Sequence, residues 1–209
     1  MRKFLNSFAC FACIGIATMA QTTHAADPAA AGSIDAVWKP QAIVFDYRSE
    51  GRVYGCDVLE YKIGMILRRL GARDSLALTD YQCRDLADRV RVRLLLESPV
   101  AATADNVREI TSYSSEEELT ARLRGVRLPS ATDLQRFPAA WESISFRDGK
   151  LDLEAADCAL VQQIRNQVLP KMSVQVTKDI RGVDCTQEMT GIARPRLTVF
   201  ALVPVTAAQ

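Results

Sequence analysis

The chain has 209 residues, of which 48% are hydrophobic and 24% are charged. Its 26 Lys and Arg residues nearly balance its 25 Asp and Glu residues, for a formal net charge of +1 at pH 7. These values are typical of globular proteins and exclude collagen-like, disordered and coiled-coil chains, as well as proteins with several membrane spans. The near-neutral charge also predicts no general attraction to nucleic acid or to anionic lipid.

Residues 1–25 have the pattern of a secretory signal peptide. Arg2 and Lys3 give a positive start, an apolar run follows over 4–20, and small residues around Ala25 offer a cleavage site. A retained membrane anchor is the alternative, but a span needs about 20 unbroken apolar residues, and polar residues interrupt this run. We therefore expect cleavage after Ala25, no membrane span in the mature chain, and a periplasmic or secreted location.

The only histidine, His24, would leave with the signal peptide. The mature chain would then lack His-based acid–base catalysis, the common Ser–His and Cys–His nucleophile arrangements, and His-ligated zinc or copper. The mature sequence also contains no Ser-x-x-Lys motif, no glycine-rich phosphate loop and no calcium-loop motif. We therefore predict no cofactor, no metal site, and a function in binding rather than in catalysis.

Four cysteines remain after cleavage, and their spacing indicates an internal duplication. Cys56 and Cys83 are 27 residues apart, and Cys158 and Cys185 have the same separation. In an oxidising compartment such cysteines form structural disulfides, and neither pair has the Cys-x-x-Cys spacing used in redox chemistry. Four cysteines allow three pairings, and the duplication favours one bond within each repeat, Cys56 to Cys83 and Cys158 to Cys185.

The same order of predicted elements accompanies each cysteine pair. A strand follows Trp38 in the first copy and Trp141 in the second, and a helix then starts near the first cysteine. Two strands come next, and both copies place an Arg-x-Arg-Leu sequence at the last strand, at 91–94 and at 194–197. Chance resemblance between two short α/β segments is the alternative. The pattern predicts an internally duplicated β-α-β-β repeat.

The domain organisation follows from these boundaries. It comprises a signal peptide (1–25), a flexible N-terminal segment (26–36), a first repeat (37–98), a helical linker (99–140) and a second repeat (141–205). Alternating apolar residues predict the strands, which include 41–47, 75–79, 90–97, 144–147, 173–177 and 197–203. We expect an α+β fold with a mainly antiparallel sheet, either one continuous sheet of about six strands or two sheets. Parallel βαβ winding is the alternative.

Polar residues mark the predicted helix starts. Asp57 and Glu60 have capping-box spacing, and Asp157 is placed to cap the helix of the second repeat. Within the linker, one helix is predicted to begin at Ser114 and a shorter one at Pro129. A short strand over 52–54 is predicted to pair back on the strand at 41–47, with the turn at 49–51 between them.

Two arginine pairs are the candidate binding residues. Arg91 and Arg93 point to one face of the last strand of the first repeat, and Arg194 and Arg196 do the same in the second. A pseudo-two-fold axis could bring all four together, and guanidinium groups bind carboxylates and phosphates bidentately. The pattern therefore predicts an anionic envelope component or an acidic envelope protein as partner. The alternative is a solvated face whose arginines pair with neighbouring Asp or Glu.

Two carboxylate pairs, Asp57 with Glu60 and Asp152 with Glu154, are the candidates for catalysis. Glycoside hydrolysis needs two carboxyl groups about 5–10 Å apart across a cleft. A helix cap also explains Asp57, and the polar face of a strand also explains Asp152 and Glu154. We expect a non-catalytic binding or protein-interaction module of the cell envelope, with a carboxylate-dependent hydrolase of an envelope polymer as the alternative.

Overall fold

The computed structural model describes residues 32–74, 77–79, 83–147, 149–177 and 195–205. These residues form an α+β fold with a mainly antiparallel sheet, as predicted. The strands are β1 (Ile34–Arg48), β2 (Tyr54–Gly55), β3 (Ala77–Thr79), β4 (Leu86–Ala87), β5 (Arg89–Ala101), β6 (Arg136–Ser145), β7 (Val174–Val176) and β8 (Thr198–Pro204). The α-helices are α1 (Cys56–Arg69), α2 (Ala104–Ile110), α3 (Ser115–Arg124) and α4 (Cys158–Gln167).

Six of the strands form one sheet in the order β3-β5-β1-β6-β8-β7, and β2 and β4 form a separate two-stranded sheet. Each strand pair is antiparallel, so no parallel winding occurs in the described part of the chain. β1 and β6 lie at the centre of the large sheet. The strand order reads the same from both edges when β1, β5 and β3 are matched with β6, β8 and β7.

The central pair of strands overlaps over a short stretch. β1 pairs with β6 only from Ile34 to Val37, whereas it pairs with β5 from Ala36 to Arg48. β6 then continues past the start of β1 and pairs with β8 from Ala139 to Ser145. The two strands therefore run on in opposite directions from a short junction, and each has an edge that the other does not cover.

One face of the large sheet packs against α1 and α4 in a core that both halves of the chain share. Ile43 and Phe45 from β1 lie in this core together with Ile144 from β6, and Phe146 just after it, while the alternate residues of β5 from Val90 to Leu96 are also buried. The intervening residues of β5 are exposed, as the predicted alternation requires. The helices thus leave the opposite face of β5 and β1 open to solvent.

α1 buries the apolar stripe that its sequence predicts, which includes Leu59, Ile63, Ile66 and Leu67. Beyond the helix, Gly71 has a φ of +93°, a left-handed conformation that strongly favours glycine. A β-carbon at Gly71 would lie 2.6 Å from the carbonyl oxygen of Leu202 in β8. Glycine therefore allows the end of α1 to approach β8 closely.

The predicted disulfide between Cys56 and Cys83 is present. It joins the first residue of α1 to the segment that precedes β4. The bond between Cys158 and Cys185 stays a prediction, because Cys185 lies outside the described residues. Cys158 is the first residue of α4, which matches the place of Cys56 at the start of α1.

Two predicted helix starts differ from the structure. α1 begins at Cys56, and no side chain caps it. Asp57 lies in the first turn instead, where its negative charge interacts favourably with the positive end of the helix dipole. The helix predicted at Pro129 is replaced by a turn, in which Asp133 accepts hydrogen bonds from the backbone N–H (2.8 Å) and the hydroxyl (2.6 Å) of Ser130. The turn does not extend into a helix because β6 begins at Arg136.

Several predicted strand boundaries also differ. β6 begins at Arg136, inside the predicted linker, rather than at 144. β1 begins at Ile34, inside the segment expected to be a flexible start, because β6 pairs with it from Ile34 and β5 pairs with it from Ala36. β2 pairs with β4 rather than back onto β1.

The helix predicted at Ser114 is confirmed as α3, with Ser114 and Glu117 forming a capping box.

Candidate anion-binding face

The open face of β5 and β1 carries four exposed arginines at one end. Arg89, Arg91 and Arg93 occupy alternate positions of β5, and Arg48 is the last residue of β1. Because alternate residues of a strand are about 6.6–6.8 Å apart, the β5 arginines form a regularly spaced row. We call these four residues, together with Asp46 of β1, the arginine face.

Arg91 is the member of the arginine face that has an acidic partner. It lies directly opposite Asp46, and its Nε and Nη2 donate to Asp46 Oδ1 (2.6 Å) and Oδ2 (3.3 Å). This hydrogen bond lowers the pKa of Asp46 below its usual value and raises the pKa of Arg91. The side chain of Arg91 is still 74% exposed, so the pair is solvated and contributes little to stability.

Arg48 and Arg89 lie directly opposite each other on the neighbouring strands. Like charges in such a cross-strand pair repel each other and destabilise the sheet. Neither guanidinium has a hydrogen bond or an ion pair with another described side chain, and the same holds for Arg93, which lies opposite Val44. Opposed side chains start about 4.5–5.5 Å apart, so Arg48 and Arg89 can both reach a single anionic group.

A groove of about 790 Å³ adjoins the arginine face. Its lining includes three arginines and the two glutamines Gln163 and Gln167 of α4, together with the carboxylates of Asp46 and Glu50. Pockets of about 300–1,000 Å³ are typical of small-ligand sites in proteins. The groove is therefore large enough for a small ligand or for a short segment of a polymer beside the arginines.

Gln163 and Gln167 fix the position of the groove by binding the free edge of β1. Gln163 accepts from the N–H of Arg48 (2.8 Å) and donates to its carbonyl oxygen (2.7 Å). Gln167 makes the same two bonds with Asp46, both at 2.9 Å. The two amides lie one helical turn apart and substitute for a neighbouring strand at this edge. The two glutamines thus hold α4, in the C-terminal half of the chain, against β1 in the N-terminal half.

A separate polar cluster is buried between the two halves of the chain. Asp157 is fully buried and accepts hydrogen bonds from Lys62 Nζ (2.8 Å), from the backbone N–H of Glu154 (2.8 Å) and from the hydroxyl of Tyr54. Lys62 also donates to the carbonyl oxygen of Asp152 at 3.0 Å. The carboxylate of Asp157 is thus paired with a buried ammonium and with two further donors, as a stable buried ion pair requires.

The tyrosines beside this cluster are poor acids. Burial is the main cause that raises the pKa of Tyr54 far above its usual value, and the hydrogen bond to Asp157 is the second. Burial also raises the pKa of Tyr47 to about 12, with the charge of Asp157 as the second cause. Both phenols therefore stay protonated near neutral pH, and the cluster acts as a structural link between the two halves of the chain.

The carboxylate pairs considered for catalysis have other roles in the structure. Asp57 and Glu60 are exposed on α1, and Glu154 forms an ion pair with Arg52. Among the described carboxyl groups, the pKa is lowered by hydrogen bonds at three positions, namely Asp46, Glu117 and Asp133. A general acid in glycoside hydrolysis needs a raised pKa, so these three groups are unsuited to that task.

The four arginines chosen from the sequence do not form one group in the described part of the chain. Arg91 and Arg93 belong to the arginine face, whereas Arg196 is exposed just before β8, on the other side of the β1–β6 junction. β1 and β6 lie between β5 and β8 in the sheet. Arg194 lies outside the described residues.

Sequence reasoning missed Arg48, Arg89 and the two glutamines of α4. Arg89 continues the alternation of Arg91 and Arg93, so its place on the same face was open to prediction. The position of Arg48 depends on the register between β1 and β5, which one sequence does not specify. Gln163 and Gln167 bind β1, which is distant in sequence, and the periodicity of a helix does not predict such a contact.

No family model, characterised protein or solved structure matches this chain. No helix in the described ranges is long and apolar enough to cross a membrane.

Proposed function

We propose that this chain is a periplasmic or secreted, non-catalytic binding module whose arginine face holds an anionic partner. The observation that carries the proposal is the opposition of Arg48 and Arg89 across neighbouring strands. Such a pair destabilises the free protein, and an anion bound between the two guanidinium groups would turn the repulsion into charge-assisted hydrogen bonds. The groove beside the pair offers space for the rest of the ligand.

The shape of the arginine face favours an extended anion over a single small ion. Arg89, Arg91 and Arg93 repeat every second residue along β5, which spaces their charges regularly. An acidic polymer with repeated carboxylate or phosphate groups could engage several arginines at once. Such a partner fits an anionic component of the cell envelope or an acidic segment of an envelope protein.

The proposed location is supported by two observations. The N-terminal sequence has the pattern of a secretory signal peptide, with a positive start and an apolar run over 4–20. The disulfide between Cys56 and Cys83 suits an oxidising compartment, since cytosolic thiols are kept reduced.

We also propose that the chain arose by duplication of a β-α-β-β unit. The symmetric strand order supports this proposal, because it places the matched elements of the two repeats at equal positions from the centre of the sheet. The proposal implies a second disulfide between Cys158 and Cys185. Peptide mapping under non-reducing conditions would identify that pair, and a bond between Cys56 and Cys158 would contradict it.

The binding proposal predicts that changing both Arg48 and Arg89 to Ala weakens binding of a polyanion to the oxidised mature chain at least tenfold. Charge-assisted hydrogen bonds contribute about 1.5–3 kcal/mol each, and tenfold in affinity corresponds to about 1.4 kcal/mol. Titration calorimetry with polyglutamate, polygalacturonate and inorganic polyphosphate would measure the effect. These three probes also distinguish peptide, glycan and phosphate chemistry.

A matched control removes two exposed arginines elsewhere, Arg108 of α2 and Arg127, which follows α3. This control should leave affinity within about twofold of the unchanged protein, because the groove is unaltered. Asp46→Asn should strengthen binding, since it frees Arg91 from its acidic partner. If the two double-arginine variants lose equal affinity, or if none of the three polyanions binds, the arginine face is not a binding site.

A further inference from the structure

α3 carries an apolar stripe that the described residues leave uncovered. Leu119 and Leu123 are 58% and 79% exposed, and they lie one helical turn apart on one side of the helix. Ala121 is the residue of α3 that is buried, and it lies on the other side of the helix. Single exposed leucines are common, but adjoining ones on successive turns form an apolar patch.

The exposed stripe belongs to a helix whose ends are well defined. Ser114 and Glu117 form a capping box at the start, and Gly125 ends the helix in a left-handed conformation. The N–H of Val126 then donates to the carbonyl oxygen of Ala121 at 2.9 Å, which fixes Val126 beside the last turn. The stripe is therefore a preformed surface, and a partner would bind it with little additional ordering of the helix.

The charges of α3 are divided between its two ends. The first turn contains Glu116, Glu117 and Glu118, and the last turn contains Arg122 and Arg124. A second α3 in antiparallel orientation would place the acidic end of each helix beside the basic end of the other. A parallel arrangement would instead oppose like charges. The charges of the helix are thus complementary to those of a second copy related by a two-fold axis perpendicular to the helix.

We propose that two copies of this chain associate through α3, with the helices antiparallel and Leu119 of each packed against Leu123 of the other. The two-fold symmetry repeats each contact and closes the assembly at two copies. The seam is short compared with standard protein interfaces, so we expect a dimer that forms in a concentration-dependent equilibrium. This inference does not rest on the proposed anion binding, because the arginine face and α3 are separate surfaces.

Charge exchange on α3 tests the antiparallel arrangement directly. One variant, Glu116→Lys with Glu118→Lys, makes the helix entirely basic at its charged positions apart from Glu117, which is kept for the capping box. The other, Arg122→Glu with Arg124→Glu, makes it entirely acidic. Sedimentation equilibrium should show that each variant alone is monomeric and that an equimolar mixture forms a heterodimer at least as readily as the unchanged chain dimerises.

A second set of variants tests the apolar seam without altering the charged pairs. Leu123→Asp should abolish dimerisation, whereas Leu86→Asp should leave it intact, because Leu86 is 68% exposed but lies in β4. Circular dichroism would establish that each variant keeps its helix content. Polyanion affinity per chain in Leu123→Asp would report separately on the arginine face.

Three results would overturn the inference. One is an unchanged chain that stays monomeric at millimolar concentration. Another is a dimer that persists in Leu123→Asp. The third is a mixture of the two charge-exchanged variants that remains monomeric although both are folded.

Discussion

Asp157 and Lys62 form a buried ion pair between the C-terminal and N-terminal halves of the chain. Their separation of 2.8 Å and the additional donors from Tyr54 and Glu154 compensate the loss of hydration on burial. Such a pair contributes little beyond what an apolar pair of similar size would give. Loss of Lys62 alone is different, because the Asp157 carboxylate would lose its buried cation and keep only the two hydrogen-bond donors and the partly exposed Arg52, whose Nη1 lies 3.9 Å away.

Lys62→Met should therefore reduce the free energy of unfolding by about 3 kcal/mol, since it removes the cation at 2.8 Å and leaves the buried Asp157 carboxylate with only Arg52, 3.9 Å away, as a charged partner. Urea denaturation monitored by circular dichroism would measure this. Lys150→Met is the matched control and should change stability by less than about 0.5 kcal/mol, because Lys150 is exposed. Equal stability of the two variants would show that the carboxylate is hydrated or protonated in the folded protein.

At the level of single residues, the sequence predicts exposure better than partnership. The alternation in β5 correctly places Arg91 and Arg93 on a solvent-facing side, because the period of a strand is two. The acidic partner of Arg91 and the like-charged neighbour of Arg89 depend on which residue of β1 lies opposite each of them. Register is a property of two strands together, so neither partner follows from the local pattern.

Among the secondary-structure elements, α4 has the most informative contacts. It belongs to the C-terminal half of the chain, yet its glutamines bind the backbone of Asp46 and Arg48 in β1. Each amide uses both its oxygen and its nitrogen, as a strand residue would. The end of β1 thus depends on α4 for its hydrogen bonds on the side away from β5.

Changing Gln163 and Gln167 together to Leu should accelerate hydrogen exchange at the amides of Asp46 and Arg48, because both N–H groups lose their acceptors. Exchange measured by NMR would resolve the two positions. Gln162→Leu provides the control, since Gln162 bonds to Asn166 within α4. Unchanged exchange at Asp46 and Arg48 in the double variant would indicate that burial, rather than the glutamine bonds, protects this edge.

Elements with a strong internal signal could be predicted, and elements defined by neighbours could not. α1 and α4 have apolar stripes, and α3 has a capping box, so their sequences indicate them directly. The first residues of β1 read as a polar, irregular start, and they become a strand only because β5 and β6 pair with them. The predicted helix at Pro129 fails for the same reason, since β6 begins too soon after it.

For the whole molecule, the shared core implies a single folding unit. Residues from both halves of the chain lie in one apolar cluster, and α4 and the Asp157 cluster connect the two halves further. The sequence predicted an α+β fold with about six strands but left open one sheet or two. That choice depends on a junction of a few residue pairs between β1 and β6, which no local pattern encodes.

The two tryptophans can test whether the chain unfolds as a single unit, because Trp38 lies in β1 and Trp141 lies in β6. Trp38→Phe leaves Trp141 as the reporter, and Trp141→Phe leaves Trp38, whose ring stacks on Phe137 of β6 at the β1–β6 junction. For each variant we expect tryptophan fluorescence and circular dichroism to give the same urea midpoint, as two-state unfolding requires. A fluorescence midpoint that departs from the circular dichroism midpoint in either variant would show that the β1–β6 junction opens separately from the rest of the fold.

The side-chain amides along β1 have a consequence for solubility. An uncovered strand end offers peptide groups to any other extended chain and can start aggregation. Gln163 and Gln167 occupy those groups at Asp46 and Arg48, so α4 shields the strand against intermolecular pairing. Conditions that detach α4 before the rest of the fold opens would expose this edge first, and the protein would then be lost to aggregates rather than recovered on refolding.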